Sequence, residues 1–418
     1  MSGTVARVSD LKLGGPCSQQ SDEVAVSPLP VGKLKSALNI AIVAPLFESV
    51  PPKLYGGTER VVSFLTEELV RQGHAVTLFA SGDSVTAARL HACSPQSLRL
   101  GLDSGDPFVS QLAHIVLMQE VISQAPLFDI IHFHLDHVHL PAIAGRGLPV
   151  VSTLHGRMDL PLLPEIYNHC RDMPLISISE AQRKSLPSAH WVATVHHGLP
   201  TDLLAFSPRK GTYLAFLGRI SKEKRVDRAI RIACRTGLPL KIAAKVDPAD
   251  VTYFNESIRP LLKAPGVELI GEIGDHEKSA FLGGALATLF PIDWPEPFGL
   301  VMIESLACGT PVIAFKGGSV MEILDHGSTG FVVDSEEEAI QAVERIETIS
   351  RARCRNTFER RFSATRMAHD YVSVYRSVRT DHLHRLQSPD HAKTIGQATA
   401  SLPSRAMVAV AAPLEPLP

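Results

Sequence analysis

The chain has 418 residues, 45% of them hydrophobic, and sets 41 Lys and Arg against 43 Asp and Glu for a formal net charge of −2. That length and apolar content suit two or three domains with real cores, and the balanced charge excludes the clustered basic footprint that a nucleic-acid binder needs. Six cysteines, at 17, 93, 170, 234, 308 and 354, form no Cys-x-x-Cys pair, so neither a zinc knuckle nor a disulfide framework is indicated.

Residues 1–36 mix Ser, Gly, Pro and Gln without periodicity and are expected to be disordered. They contain no apolar h-region, and no run of eighteen apolar residues occurs anywhere. A soluble, cytoplasmic protein is expected, without a transmembrane segment but with room for a peripheral membrane contact. The fold is expected to begin at Leu38 with LNIAIVAPLF, a near-continuous apolar run of the kind found in a parallel strand covered on both faces. A loop with Pro51-Pro52 and Tyr55-Gly56-Gly57 follows. A helix is predicted from Thr58, with Thr58 as N-cap, Glu59 in the first turn and Val61, Leu65 and Leu69 along one face. Gly73 ends it, and AVTLFAS is the next strand. Strand, glycine loop, helix and strand make the unit of an open α/β sheet, whose ligands sit beyond the carboxyl ends of the strands. Gly56-Gly57 is thereby placed to approach a phosphate, with an ordinary turn as the plain alternative.

Further strands are predicted in DIIHFHL (129–135), PVVSTLH (149–155), ISIS (176–179) and WVATVHHG (191–198). His155-Gly156 stands at a strand's carboxyl end, where the side chain faces the crevice; the plain alternative is a loop histidine. The run from His132 to His137 raises a competing function. His132, His134, Asp136 and His137 match the ligand signature of metallo-β-lactamase-type hydrolases, with His196 as a later ligand. That reading leaves the glycine loop and the entire second half of the chain without a role.

Pro200 to Arg209 reads as a hinge, and a second α/β series begins with TYLAFLG (212–218). Arg219 and Lys224 lie between that strand and a helix predicted over Val226–Thr236, where a fork-shaped and a point cation suit a diphosphate. PLKIAAKV, VELIGEI and ALATLFP supply more strands. In FPIDWPEPFGLVMIESLACGTPV (290–312), Pro297 suits the first turn of a helix. The amides of Phe298, Gly299 and Leu300 would then be unpaired donors at its start. Glu304 lies deeper, among apolar neighbours, a good acceptor for the two hydroxyls of a ribose. A glycosidase pair of Glu296 and Glu304 is disfavoured, because eight helical residues part them by roughly 12 Å, whereas such pairs need about 5 to 9.5 Å. Gly317-Gly318-Ser319 and Glu322, then HGSTGFVVD, precede a helix from Glu336. A last amphipathic helix is predicted over Ser363–Val378, with Met367, Tyr371, Tyr375 and Val378 on one stripe.

Together, YGGTERVV, GRISKEK, EPFGLVMIE followed by SLACGTPVIA, and GSTGFVV resemble the retaining nucleotide-sugar glycosyltransferases of family 4 (glycosyl transferases group 1), over about residues 38–380. The resemblance implies the GT-B fold: α/β, two Rossmann-like domains facing a central cleft, with a C-terminal helix crossing back to the first. It divides the chain into a disordered segment 1–36, an acceptor-side domain 37–203, a donor-side domain 204–362, a crossing helix 363–385 and a disordered tail 386–418. It implies a hexose moved from a nucleoside diphosphate sugar to a hydroxyl of a glycan, lipid-linked or small-molecule acceptor, with the anomeric configuration kept. Arg219 and Lys224 would hold the diphosphate and Glu304 the ribose. Glu296 and the amides of Phe298, Gly299 and Leu300 would hold the sugar. Gly56 and Gly57 would line the phosphate side, and His155 would contact the sugar near the reacting carbon. His155, Arg219, Lys224 and Glu296 are thus the expected catalytic residues. No cofactor and no catalytic metal are expected, and the sequence has no Asp-x-Asp motif. A non-catalytic sugar-nucleotide-binding module is the remaining alternative. Two departures, Val320-Met321 where many relatives carry a proline and Ala244 where a glycine is common, are expected to line the cleft and bear on donor preference.

Overall fold

Residues 37–53, 56–100 and 107–387 are described here from a computed structural model. The segment 1–36, the tail from Ser388 and Tyr55 of the glycine loop lie outside the described residues.

The apolar runs form two all-parallel sheets. The first comprises β1 (Asn39–Val43), β2 (Ala75–Ser81), β3 (Arg89–Ser94), β4 (Ile130–Phe133), β5 (Val150–Thr153), β6 (Leu175–Ser177) and β7 (Trp191–Thr194). Their spatial order is β3-β2-β1-β4-β5-β6-β7. The second comprises β8 (Tyr213–Arg219), β9 (Leu240–Lys245), β10 (Val267–Gly271), β11 (Ala285–Phe290), β12 (Val312–Phe315) and β13 (Gly330–Val333), in the order β10-β9-β8-β11-β12-β13. Both sheets are doubly wound, and each reverses its winding beside its first strand, at β1/β4 and at β8/β11. An open sheet forms its ligand crevice at that reversal, outside the carboxyl ends of the strands.

Every residue of β4, β5 and β12 is buried, as continuous apolar runs between two helical layers require. β3 was not anticipated: RLHACS is a half-exposed edge strand without an apolar run. The helix Pro107–Gln124, apolar around most of its circumference, was also unforeseen.

The helix after the glycine loop spans Gly57–Arg71 and starts one residue earlier than predicted; Gly56, not Thr58, is its N-cap, and no side chain caps it. Val61, Leu65 and Leu69 are buried as expected. The last helix, Ala364–Gln387, buries Met367, Tyr371, Tyr375 and Val378 in the core of the first half, beside Ile40, Val61 and Leu65. The chain therefore passes between the halves twice, and the passages touch: Leu199 N–H donates to Phe362 O (2.9 Å) and Ala364 N–H to Leu199 O (2.8 Å). Gly198 permits this approach, since a Cβ there would lie 2.3 Å from Ser363 O. No helix among the described residues is long and apolar enough to cross a membrane.

Candidate active site

The two crevices share one cleft of about 380 Å³. Gly56, Gly57, Arg60 and His155 line it from the first half; Arg219, Lys224, Glu296, Phe298, Gly299, Leu300 and Glu304 line it from the second. All the residues singled out in the sequence for donor binding or catalysis therefore meet in one place.

The segment from Phe290 to Val312 is built differently from expectation. Its helix spans Leu300–Ala307, so Pro297 lies in the loop before it rather than in its first turn. Gly299 is the N-cap with φ +80°, and a Cβ there would press on Phe290 and Met302 at 3.0 and 2.8 Å. That left-handed turn, costly for any other residue, delays the helix by three residues. Only the stretch from Leu300 to Glu304 is helical, so the helical spacing assumed for Glu296 and Glu304 does not hold. Gly317-Gly318-Ser319 buttresses the loop. At Gly318 (φ +51°) a Cβ would collide with Glu296 O at 2.1 Å, while Ser319 N–H donates to Glu296 O (3.0 Å) and its hydroxyl to Phe298 O (2.8 Å).

The cations are already paired. Arg219 donates to Glu223 (2.6 Å) and Asp247 (3.4 Å) and lies 3.6 Å from Asp250. Lys224 donates to Glu296 and sits 5.1 and 5.6 Å from the ring centres of Trp294 and Phe290. Trp294 donates its indole N–H to the same Glu296 oxygen (2.9 Å). Glu304, nearly inaccessible, receives Lys278 Nζ (2.6 Å) and Arg60 Nη1 (3.1 Å). Sequence reasoning missed Arg60 and Lys278. Arg60 had a signal in its position, one turn after the glycine pair; Lys278 had none, since in sequence it looks like any helix-face cation.

His155 Nε2 and His134 Nδ1 share a hydrogen bond of 2.8 Å, and the His155 ring stacks on His197 with centres 5.3 Å apart. Asp136, at φ +48°, accepts the backbone N–H of His155 (2.9 Å) and Gly156 (3.4 Å), fixing the strand end. Burial pushes the His155 imidazolium down to about 4, against a weaker upward pull from Asp136, and holds those of His134 and His197 well below the usual range, as neighbouring imidazoles also do.

The metallohydrolase reading is corrected by this arrangement. His132 is fully buried between Tyr375 Oη and Thr153 Oγ1, 2.7 Å from each, and so pins the last helix to the sheet. Asp136 caps backbone amides, His134 serves His155, and His196 Nε2 lies 3.1 Å from Glu322. No three His, Cys, Asp or Glu among the described residues are grouped to hold a metal ion. The departure at 320–321 is also placed differently: Val320 is buried and Met321 is exposed, neither lining the cleft, whereas Ala244 does. The adjacent Glu322 reaches the first half, accepting the N–H groups of Glu180 (2.8 Å) and Ala181 (2.7 Å).

Residues 205–363 match the family model for glycosyl transferases group 1, and residues 55–210 match that for glycosyltransferase family 4. The chain is 33% identical over 371 residues to an N-acetyl-alpha-D-glucosaminyl L-malate synthase of Bacillus anthracis, covering 78% of this chain and 95% of that protein. A glycogen synthase of Mycobacterium tuberculosis is 26% identical over 391 residues, covering 79% and 94%. Among solved structures, Anabaena HepE in complex with UDP-glucose superposes with a TM-score of 0.63 at 18% identity, covering 81% of this chain and all of the other. With both halves matched, a relative 33% identical over 78% of this chain and the GT-B architecture in place, the chain belongs to the family 4 glycosyltransferases, as a nucleotide-sugar hexosyltransferase.

Proposed function

We propose that this hexosyltransferase retains the anomeric configuration, needs no catalytic metal, and carries the hexose from a nucleoside diphosphate held mainly by the second half to a hydroxyl presented by the first. The observation that carries the reading is the meeting of Arg219, Lys224 and Glu304 in one cleft with His155 and the glycine pair of the other half. Breaking the bond from the anomeric carbon to the phosphate oxygen loads negative charge onto the diphosphate. Arg219 and Lys224 stabilise that charge as it forms, and the N-terminus of helix Gly57–Arg71 favours an anion from the opposite wall. Glu304 takes the ribose hydroxyls, Glu296 and the 298–300 turn take the hexose, and neutral His155 bonds a sugar hydroxyl near the reacting carbon.

The transition state is oxocarbenium-like. The acceptor oxygen bonds to the anomeric carbon on the face that the diphosphate is leaving, and its proton passes to the departing phosphate oxygen. Inversion would instead require a base on the opposite face. Glu223, Glu296 and Glu304 each already accept a hydrogen bond from a cation, which occupies them in the cleft.

The test incubates the protein with UDP-, GDP- and ADP-hexoses, with and without EDTA, and follows nucleoside diphosphate release and product configuration by NMR. UDP-glucose is the first donor to try, being the ligand of HepE. Turnover that survives EDTA and gives an α-product from an α-donor is expected. A β-product refutes retention, abolition by EDTA refutes metal independence, and donor binding without turnover returns the protein to a binding module.

A further inference from the structure

We propose that Arg60 is a positioning residue that ties the grip on the donor ribose to the closing of the two halves. The proposal rests on the reading of Glu304 as the ribose acceptor.

Four side chains form an alternating set of charges at the edge of the cleft. Glu304 Oε1 receives Lys278 Nζ at 2.6 Å and Arg60 Nη1 at 3.1 Å. Asp275 Oδ1 lies 3.2 Å from the same Lys278 and 3.1 Å from Arg60 Nη2. Asp275 and Lys278 lie one turn apart on the helix Asp275–Gly283, and Glu304 on the helix Leu300–Ala307, so three of the four belong to the second half. Arg60 comes from the first, on the first turn of the helix that the glycine pair opens.

Three of the four are largely dry, with side-chain exposures of 14% for Arg60, 8% for Lys278 and 3% for Glu304, while Asp275 at 37% faces water. The set around Glu304 is therefore not one of the rim ion pairs that contribute almost nothing. Breaking such a buried pair strands a charge, which is strongly unfavourable.

Two consequences follow. Both cations draw on Oε1, and among the described residues none bonds Oε2 of Glu304. The carboxylate is thereby fixed with one oxygen left for a ribose hydroxyl. When the halves separate, Lys278 stays with Glu304 but Arg60 departs with its helix. The oriented carboxylate thus exists fully only in the closed molecule, and a ligand that uses it favours closure by the same factor that closure favours the ligand.

The test is a cycle between protein and ligand. Kd is measured by calorimetry for UDP, GDP or ADP, whichever binds the wild-type protein, and for its 2′,3′-dideoxy counterpart. Arg60→Gln is expected to weaken the ribose nucleotide about tenfold, the scale of one charge-assisted hydrogen bond, while leaving the dideoxy Kd within twofold. Donor KM should rise in step, with kcat at saturating donor within threefold of wild type. Asp275→Asn, which keeps Arg60 but removes its second anchor, should shift the same way by a smaller factor, and it carries the comparison if Arg60→Gln folds poorly. Equal losses on both ligands, or no loss on either, would overturn the inference while leaving the donor reading intact. A wild-type protein that binds none of the three diphosphates would defeat the donor reading itself, and the inference with it.

Discussion

Replacing Lys224 with Ala removes a cation that the fold keeps mostly out of water. Its side chain is 22% exposed, flanked by the Trp294 and Phe290 rings and bonded to Glu296. A unit charge about 4 Å from a phosphate oxygen gains about 4 kcal/mol at an effective permittivity near 20. Glu296 already claims part of that field, so the share left for the charge developing on the leaving diphosphate is about 3 kcal/mol, or roughly 10²-fold in kcat, on the scale of losing one preorganised donor. Because that charge forms only as the bond breaks, kcat and kcat/KM should fall together. The stranded Glu296 carboxylate then opposes the incoming diphosphate and raises donor KM as well. Initial-rate kinetics with coupled detection of the released nucleoside diphosphate measure both parameters, with a melting curve to establish folding. A folded Lys224→Ala protein with kcat within threefold of wild type would show that the ammonium does not face the reacting phosphate, and the assignment would fall.

Arg219→Ala should likewise lower kcat/KM by about 10²-fold, read in the same kinetic assay; unchanged turnover rejects its role. Tyr375→Phe leaves His132 Nδ1 without its 2.7 Å partner in a fully buried place and should cost about 1–3 kcal/mol in urea unfolding; a loss below 0.5 kcal/mol would mean that the His132–Tyr375 pin is not structural. Gly318→Ala places a Cβ 2.1 Å from Glu296 O at φ +51° and should displace the Glu296 loop, lowering kcat/KM at least tenfold by the loss of near-attack geometry; wild-type kinetics would refute the buttress. The neutral His132, His134, His155 and His197 cluster predicts acid lability. Folded imidazoles protonate lower than unfolded ones, so the stability they contribute is complete above about pH 6.5 and is lost as pH falls toward about 4, the His155 value. Urea midpoints unchanged from pH 7 to pH 5 would contradict this.

The fold was legible wherever burial wrote itself into residue type. Runs such as NIAIV, IIHF, VIAF and ALATLF can lie only between two apolar layers, and each became a strand. RLHACS faces water on much of its length, so its composition carries no such mark. The start of the helix at Leu300 was misread because Pro297 fits a first turn equally well, and the deciding fact, positive φ at Gly299, arises from packing against Phe290. The histidines of the 132–137 run have metal-ligand spacing, and alternation even puts His132 and His134 on one face with ring centres 3.9 Å apart, yet their bonded ring nitrogens go to partners from other segments. His132 thus meets Tyr375, a residue 243 positions away, and no local pattern announces that. Lys278 was missed for the same reason: its importance lies in which helix closes over which, not in its neighbours in sequence, whereas Arg60 was marked only by its place one turn after the glycine pair.

The cleft keeps its charges in closed sets: Arg219 with Glu223, Asp247 and Asp250, Lys224 with Glu296, and Arg60 and Lys278 with Glu304 and Asp275. A lone charge in so enclosed a place would be heavily penalised, so the pairs let the fold hold its cations in place before the substrate arrives. On the proposed reading, an arriving diphosphate competes for Arg219 with Glu223, Asp247 and Asp250, and for Lys224 with Glu296. Glu296 then loses its ammonium partner but keeps Trp294, and its freed capacity can pass to hexose hydroxyls. The sugar subsite therefore becomes complete only once the phosphate has taken Lys224. A free hexose, which brings no anion, finds Glu296 still occupied; the diphosphate is in this sense the key to the sugar subsite as well as the leaving group. The same logic separates the two acids. On that reading Glu304, held by two cations that the phosphates do not claim, keeps both partners while the halves stay closed, as recognition of an unreacting ribose requires, whereas Glu296 exchanges partners beside the bond that breaks.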